Sequence, residues 1–259
     1  MVVENGEFIM LGLRWDDPFR IRTHRELTAW VKEVGFLPLF SNEVEGFSAE
    51  EHVSPRYWWS GNREQDPWEW RETIASEHEV AYGKFFAGRA GFISVDWLPY
   101  FANYRRNGYD FDARWEDGLA NRREKLIMDR FLDRDEDGEV VFSEKHILTT
   151  DLKKQCGFGK GGEKNFPGIV TGLMMQTYLV TVDFCRRVNK KGSEYGMPVT
   201  VMLPPETVWG YEKVTSAYGE SPIRSWERIA GRVRELYPAA DESDIVKLIG
   251  HRPKEMQVD

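Results

Sequence analysis

An acidic stretch, residues 133–144, has the side chains that a divalent cation could use. Asp133, Asp135 and Asp137 occupy its first, third and fifth positions, Gly138 follows them, and Glu144 closes the stretch. A hard cation such as calcium takes about six to eight oxygen ligands, and the EF-hand loop supplies them with this spacing and a glycine at its sharp turn. The pattern therefore indicates a loop that could bind calcium.

The same stretch can also be interpreted without an ion. An acidic turn would then join a helix to a short strand over 140–142, and Ser143 would cap the next helix. EF-hand loops usually work in pairs, and the sequence contains no second loop of this kind. We therefore expect a solvated acidic turn and no cofactor, with a calcium-binding or protein-interaction module as the alternative.

A group of basic residues could bind phosphate groups. Clustered Lys and Arg give a protein its affinity for a nucleic-acid backbone. Residues 144–203 hold nine basic and five acidic residues, although the whole chain has a net charge of −8. This asymmetry predicts contact with DNA or RNA, against the alternative of a merely solvated loop, through Lys160, Lys164, Arg186, Arg187, Lys190 and Lys191.

Aromatic residues are dense between 57 and 70. Trp59, Trp68 and Trp70, together with Arg63, could stack an unpaired base or a planar ligand. Tryptophan more often fills a core, because its ring buries a large apolar area. Packing is the expected role of this cluster, and ligand stacking is the alternative.

No catalytic constellation can be assigned. Residues 157–162 satisfy G-x-G-x-x-G, but a Lys-rich helix precedes them where a dinucleotide site needs a strand, so they predict a turn. We find no Ser-His-Asp, Cys-His or zinc-binding spacing. An unrecognised hydrolase or glycosylase site remains as an alternative, and its candidates are Glu72, Glu77, His78 and Asp96.

The elements of the second half predict how these residues are positioned. Hydrophobic periodicity and turn residues indicate the order helix, short strand, helix, helix, strand, basic loop and strand. The predicted ranges are 119–132, 140–142, 145–155, 167–177, 178–185, 186–195 and 197–203. This is the order of a winged helix, in which the basic loop would form the tip of the wing.

The first half predicts helices and a hairpin. Capping residues Thr23 and Asp66 open two helices, strands follow over 80–87 and 91–95, and Asp96 would cap a further helix. The predicted fold is α+β, with an aromatic-rich domain over 1–112, a winged helix over 113–208 and C-terminal helices packed on it over 209–259. A second winged-helix-like unit is an alternative interpretation of the first half.

Composition limits the class of protein. A chain of 259 residues can bury a substantial core, and its two cysteines, Cys156 and Cys185, have no metal-ligand spacing and predict reduced thiols. No apolar run approaches the roughly 20 residues of a spanning helix. We therefore expect a soluble cytoplasmic protein without a membrane partner.

The chain resembles the short bacterial relatives of the AlkZ and YcaQ winged-helix DNA glycosylases. The likeness rests on Trp59-Ser60-Gly61-Asn62, Asp66-Pro67-Trp68-Glu69-Trp70, Ala81-Tyr82-Gly83, Gly91-Phe92-Ile93-Ser94 and the winged-helix order over 119–203. It covers roughly two thirds of the chain. It implies tandem winged helices, a nucleic-acid partner and a role in DNA repair.

The chain departs from that family in its catalytic motif. The glycosylases use Gln-x-Gln or Gln-x-Asp, whereas this sequence has no Gln-x-Gln and a single Gln-x-Asp at its end, Gln257-Val258-Asp259. The resemblance therefore predicts the architecture and a nucleic-acid association, and it assigns no catalytic residue.

Overall fold

The computed structural model describes residues 2–4, 7–138, 140–189 and 191–254. Within these ranges the chain folds into helices and antiparallel strands, which confirms the predicted α+β class. None of the described helices is long and apolar enough to cross a bilayer.

The strands and helices follow one another along the chain as follows. The strands are β1 (Val2–Glu4), β2 (Glu7–Ile9), β3 (Phe36–Pro38), β4 (Val80–Phe86), β5 (Arg89–Ser94), β6 (Leu132–Arg134), β7 (Val140–Phe142), β8 (Ile147–Leu148), β9 (Val180–Val188) and β10 (Glu194–Leu203). The helices are α1 (His24–Val34), α2 (Ala49–His52), α3 (Pro67–Glu77), α4 (Leu98–Arg106), α5 (Phe111–Glu116), α6 (Arg122–Met128), α7 (Thr149–Gln155), α8 (Phe166–Met175), α9 (Pro205–Trp209), α10 (Tyr211–Thr215), α11 (Pro222–Leu236) and α12 (Glu242–Ile249).

Six strands form one antiparallel sheet in the order β3-β5-β4-β9-β10-β8. The two hairpins, β4–β5 and β9–β10, meet in its middle, where Tyr82 of β4 lies opposite Thr181 of β9. The strand that precedes each hairpin in its half of the sheet pairs with that hairpin's second strand, β3 with β5 and β8 with β10. Outward from the β4–β9 junction, the order β4-β5-β3 on one side therefore mirrors the order β9-β10-β8 on the other.

The helices follow the same repeated order. The elements α1, β3, α2 and α3 precede the first hairpin, and α6, β8, α7 and α8 precede the second. Helix α3 packs on β9, a strand of the second hairpin, and α8 packs on β4, a strand of the first. Each half therefore contributes a helix to the other half's hairpin, which brings α3 and α8 to the junction.

Local sequence signals account for several boundaries. Thr23 accepts from the backbone N–H of Glu26 and caps α1, and Asp66 accepts from that of Trp68 before Pro67 opens α3. Helix α4 ends where Asn107 adopts the left-handed conformation that its short polar side chain tolerates. The boundaries at Thr23 and Asp66 agree with the sequence-based predictions.

Other predicted boundaries were wrong for identifiable reasons. The helix expected from 145 begins only at Thr149, because residues 147–148 pair with β10 instead. Ser143 therefore caps no helix, and its hydroxyl accepts from the N–H of Lys145. Asp96 caps no helix either, since Trp97 occupies the N-cap of α4 and Asp96 pairs with Lys213 at 2.8 Å.

The two strands of the second hairpin are longer than expected. Strand β9 continues to Val188 and β10 already begins at Glu194, so that both extend into the predicted basic loop. The helix predicted over 119–132 ends at Met128, and Leu132–Arg134 pairs with Val140–Phe142 as a separate hairpin. Arg186 and Arg187 consequently belong to a strand of the main sheet.

Candidate functional site

A cleft of about 500 Å³ lies over the junction of the two hairpins. Tyr82, Thr181 and Met202 face one another across β4, β9 and β10, and Phe184 faces Thr200 in a neighbouring row. All five line the cleft. Directly opposite residues of antiparallel strands point to the same face of a sheet, so these two rows form a continuous floor.

The walls come from the two helices that packing brings to the junction. One wall is Trp68 and Arg71 of α3, three residues apart and therefore on the same helical face. The opposite wall is the apolar and threonine face of α8, formed by Phe166, Pro167, Val170, Thr171 and Met174. Both halves of the chain are thus needed to enclose the cleft.

Arg71 is held between two aromatic rings. Its guanidinium carbon lies 3.8 Å from the ring centre of Trp68 and 4.4 Å from that of Phe184. Its Nη2 donates to Glu72 at 3.2 Å, while its buried Nε has no hydrogen-bond partner among the described residues. Ring faces attract a cation, and the attraction strengthens when water is excluded. The arrangement fixes a planar cation at the wall of the cleft.

The electrostatic character of the cleft is positive. Arg71, Lys84 and Arg89 line it, and its lining, as far as the structure describes it, includes no Asp or Glu. Arg71 pairs with Glu72 at 3.2 Å and Arg89 with Glu43 at 2.9 Å, whereas Lys84 is exposed and has no ion pair with a described residue. Burial raises the pKa of the Tyr82 phenol further above its ordinary value. A low-dielectric cleft whose charged lining groups are all positive attracts anions.

An exposed tryptophan stands beside the cleft. Trp59 is 54% exposed, and its ring centre lies 6.4 Å from that of Trp68. Its backbone has a φ of +55°, which is unusual for a bulky residue. The buried carboxylate of Asp66 accepts from the N–H groups of Trp59, Gly61 and Trp68 and so stabilises this conformation. An aromatic face is thereby presented to solvent.

Comparison with known proteins assigns the chain to a family. The sequence model of the AlkZ-related proteins matches residues 21–250, which include both hairpins and every residue of the cleft. The chain belongs to the AlkZ-related family. No curated protein and no solved structure matches the chain. Membership confirms the suspected resemblance and relates this protein to the AlkZ-type DNA glycosylases.

The remaining aromatic candidates of this AlkZ-related protein have different environments. Trp70 is buried, and its indole N–H donates to the carbonyl of Glu64 at 3.0 Å, so it belongs to the core. Arg63 is exposed and lies 3.8 Å from Glu69 and 3.7 Å from Glu194. Of the predicted stacking group, Trp59 and Trp68 are therefore the pair at the cleft.

The basic residues predicted to contact nucleic acid also have different environments. Arg186 is half-buried, with Nη2 at 2.7 Å from Glu69 and 3.2 Å from Glu72, and these two carboxylates neutralise it. Burial raises the pKa of Glu72. Lys191 is exposed near the tip of the β9–β10 hairpin and has no ion pair with a described residue. The side chain of Arg187 and the whole of Lys190 lie outside the described part of the chain.

Lys160 and Lys164 flank the turn that leads into α8. Both are exposed, and neither forms an ion pair within the described ranges. Glu163, between them, accepts from both Arg122 and Arg123, so this surface keeps an excess of positive charge. The first turn of α8 lines the cleft, which places this basic surface next to its rim.

The acidic stretch forms the β6–β7 hairpin. Asp133 lies in β6 with its carboxylate 3.4 Å from Lys145 Nζ, and Asp135 accepts from the backbone N–H of Asp137. Glu144 is exposed beyond β7. Among the described residues, no three His, Cys, Asp or Glu side chains are grouped so that they could hold a metal ion.

The four hydrolase candidates have four separate sets of contacts. Glu72 pairs with Arg71 and Arg186, and Glu77 lies 3.3 Å from His24. The remaining two are engaged elsewhere: the imidazole of His78 is 3.1 Å from the carbonyl of Val182, and Asp96 pairs with Lys213. The Gln-x-Asp motif lies outside the described residues.

Sequence reasoning missed most of the cleft. Arg71 could have been found, because it follows Trp68 by three residues on a helix whose start was predicted. Phe184, Thr200 and Lys84 could not, since their places depend on the pairing of β4 with β9 and on the register of β9 with β10.

Proposed function

We propose that this AlkZ-related protein binds nucleic acid and accommodates an unpaired base in the cleft at the β4–β9 junction. A volume of about 500 Å³ is within the usual range of roughly 300–1,000 Å³ for small-molecule sites. The observation that carries the proposal is the exposed ring of Trp59 beside Trp68, at a cleft whose charged lining residues are all basic. Proteins that hold single-stranded nucleic acid combine such aromatic faces with a positively charged groove.

The architecture that we propose is a tandem winged helix. Each half has the order helix, strand, helix, helix and hairpin, with the separate β6–β7 hairpin inserted after the first helix of the second half. Strand β3 pairs with β5 and strand β8 with β10, the last strand of the hairpin in each half. This arrangement corresponds to a helix-turn-helix followed by a β-hairpin wing. The cleft would then lie between the third helices, α3 and α8, of the two units.

Two surfaces would hold the nucleic acid outside the cleft. Trp59 would stack a neighbouring base, since its exposed ring adjoins Trp68. Lys160, Lys164 and Lys191 would contact phosphates and thereby position the strand without reading its sequence. Helix α8 would contribute little base reading, because its cleft-facing side chains are apolar or threonine.

We propose binding without base excision. The family resemblance assigns excision to a Gln-x-Gln or Gln-x-Asp motif, which is absent from residues 21–250. Incubation with alkylated DNA should therefore release no base above a buffer control. Base release that depends on the protein would contradict this part of the proposal and favour a glycosylase with a different active site.

The test compares labelled oligonucleotides by fluorescence anisotropy. A duplex with one unpaired base should bind more tightly than the fully paired duplex, and affinity should fall steeply with rising salt. Trp59→Ala should weaken binding by about tenfold, since stacking on an aromatic ring contributes about 1–3 kcal/mol per base. Lys84→Gln should weaken it and lower the salt dependence by about one charge.

Matched variants provide the controls. Trp15→Ala removes another exposed tryptophan, and Lys145→Gln another exposed lysine, away from the cleft lining. Both should bind as the unaltered protein does. Equal affinity for paired and unpaired DNA, together with unchanged binding by Trp59→Ala and Lys84→Gln, would overturn the proposal.

A further inference from the structure

A second cavity, of about 720 Å³, lies on the other side of the β4–β5 turn. Ala87 of that turn and Met175 of α8 line this cavity. Their neighbours Gly88 and Met174 line the cleft. The cavity is therefore separate from the proposed base-binding cleft. Its lining includes Phe85, Tyr104, Arg105, Lys247, His251 and Lys254.

Arg105 is a half-buried cation that forms no ion pair with a described residue. Its Nη2 donates to the carbonyl of Phe85 at 2.6 Å, and its guanidinium lies 4.7 Å from the ring centre of Phe101. Its Nη1 is buried and has no hydrogen-bond partner among the described residues. Burial lowers the pKa of Arg105 to about 10. A charge partly withdrawn from water without a counter-ion is costly, so an anion in the cavity that Arg105 lines would be stabilised by its guanidinium.

Further basic groups surround the same cavity. Lys247, His251 and Lys254 line it, and no Asp or Glu is among the described lining residues. Lys247 pairs with Asp244 at 2.7 Å, while His251 and Lys254 are exposed and have no ion pair with a described residue. The cavity consequently combines the half-buried guanidinium of Arg105 with cations at its rim.

The rim is fixed by two hydrogen bonds that hold the chain after α12. The Tyr104 hydroxyl donates to the carbonyl of Ile249, and the Trp226 indole N–H donates to that of Gly250, both at 2.9 Å. Gly250 has a φ of +102°, a conformation that favours glycine. The turn at Gly250 leads the following basic residues, His251 and Lys254, to the cavity.

We propose that this cavity binds a phosphate group between the Arg105 guanidinium at its wall and His251 and Lys254 at its rim. Arginine forms strong charge-assisted hydrogen bonds to phosphate oxygens, and a dianion satisfies several cationic donors at once. The phosphate could be free or could belong to a nucleic-acid strand. This proposal does not depend on the proposed function, because the cleft and the cavity share no lining residue.

The test measures inorganic phosphate binding to the full chain by calorimetry and thermal unfolding. Sodium phosphate should raise the unfolding midpoint more than sodium chloride of equal ionic strength, because a ligand of the native state stabilises it. Arg105→Met should abolish the phosphate-specific shift. The double variant His251→Gln and Lys254→Gln should weaken phosphate binding by about tenfold. It leaves the Arg105 guanidinium and the core unchanged.

Arg252→Gln is the matched control. Arg252 lies in the same segment and pairs with Glu227 at 2.9 Å but does not line the cavity, so its loss should leave phosphate binding unchanged. A phosphate effect no larger than that of chloride would overturn the proposal. So would phosphate binding that persists unchanged both in Arg105→Met and in the His251 and Lys254 double variant.

Two oligonucleotides distinguish the sources of the phosphate. If the strand supplies it, an oligonucleotide with a 5′-phosphate should bind more tightly than its 5′-hydroxyl form, and Arg105→Met should remove the difference. If the two forms bind equally while inorganic phosphate still binds through Arg105, the ligand is a free phosphate or a small phosphoester. Trp59→Ala and Lys84→Gln should retain phosphate binding, which separates this test from that of the cleft.

Discussion

The guanidinium of Arg186 on β9 lies 2.7 Å from the carboxylate of Glu69 on α3. The same Nη2 is 3.2 Å from Glu72, one turn further along that helix. The contact joins the second hairpin to the helix of the first half that forms a wall of the cleft. Arg186 thus stabilises the junction, and its charge is already neutralised by two carboxylates of the protein.

We therefore expect Arg186→Met to act on stability. Removing the guanidinium leaves Glu69 and Glu72 without this donor, and hydrogen bonds to charged groups contribute about 1.5–3 kcal/mol each. Because Glu72 keeps its contact with Arg71, the free energy of unfolding in urea should fall by the contribution of one such bond, about 1.5–3 kcal/mol. The salt dependence of oligonucleotide binding should stay unchanged, because the variant removes no free cation.

Lys191→Met is the comparison for this prediction. Lys191 is exposed, so its loss should change the free energy of unfolding by no more than about 0.5 kcal/mol. It should instead lower the salt dependence of binding by about one charge. The reverse pattern, with Arg186→Met fully stable but defective in binding, would assign Arg186 to the nucleic acid rather than to the junction.

The parts of the fold that depend on neighbouring residues were predictable from the sequence. The boundaries at Thr23, Asp66 and Asn107 follow from capping chemistry, and the β4–β5 hairpin follows from its glycine turn. The start of α7 was not predictable, because Ile147 and Leu148 pair with β10, about fifty residues later. A strand of two residues has no periodicity of its own, so its identity depends on a distant partner.

The side chains of the cleft were also only partly predictable, because some of them depend on partners that are distant in the sequence. The spacing of Trp68 and Arg71 is visible in the sequence, and it places both on one face of α3. Phe184, which completes the cage around the Arg71 guanidinium, is more than a hundred residues away and reaches it through the packing of α3 on β9. Arg186 appeared to be a free cation for the same reason, since Glu69 and Glu72 are equally remote.

The acidic hairpin can be tested with calcium directly. We expect about 1 mM calcium and an excess of EDTA to give unfolding midpoints within about 1 °C of each other, because only an ion that binds the native state stabilises it. Asp133 already faces Lys145, and Asp135 accepts from a backbone N–H. A rise of several degrees with calcium, lost in the Asp133→Asn and Asp137→Asn double variant, would restore the calcium interpretation.

The buried phenol of Tyr237 should make stability depend on pH in the alkaline range. Its hydroxyl donates to the carbonyl of Gly46 at 2.9 Å, and burial raises the pKa of the phenol to about 12 from an ordinary value near 10. Between these values the unfolded chain releases the phenolic proton while the native state keeps it. The unfolded state then binds fewer protons, so stability must fall as pH rises through this window.

Tyr237→Phe separates this effect from other alkaline titrations. At pH 8 the variant should be less stable by about 1 kcal/mol, because the hydrogen bond to Gly46 is lost. From pH 9 to 11.5 its free energy of unfolding in urea should decline less than that of the unaltered protein, so the advantage of the unaltered protein at pH 8 is lost and then reversed. Tyr195→Phe, at an exposed position without a described hydrogen bond, is the control. Parallel curves for Tyr237→Phe and the unaltered protein would show that the Tyr237 phenol ionises alike in the folded and unfolded states.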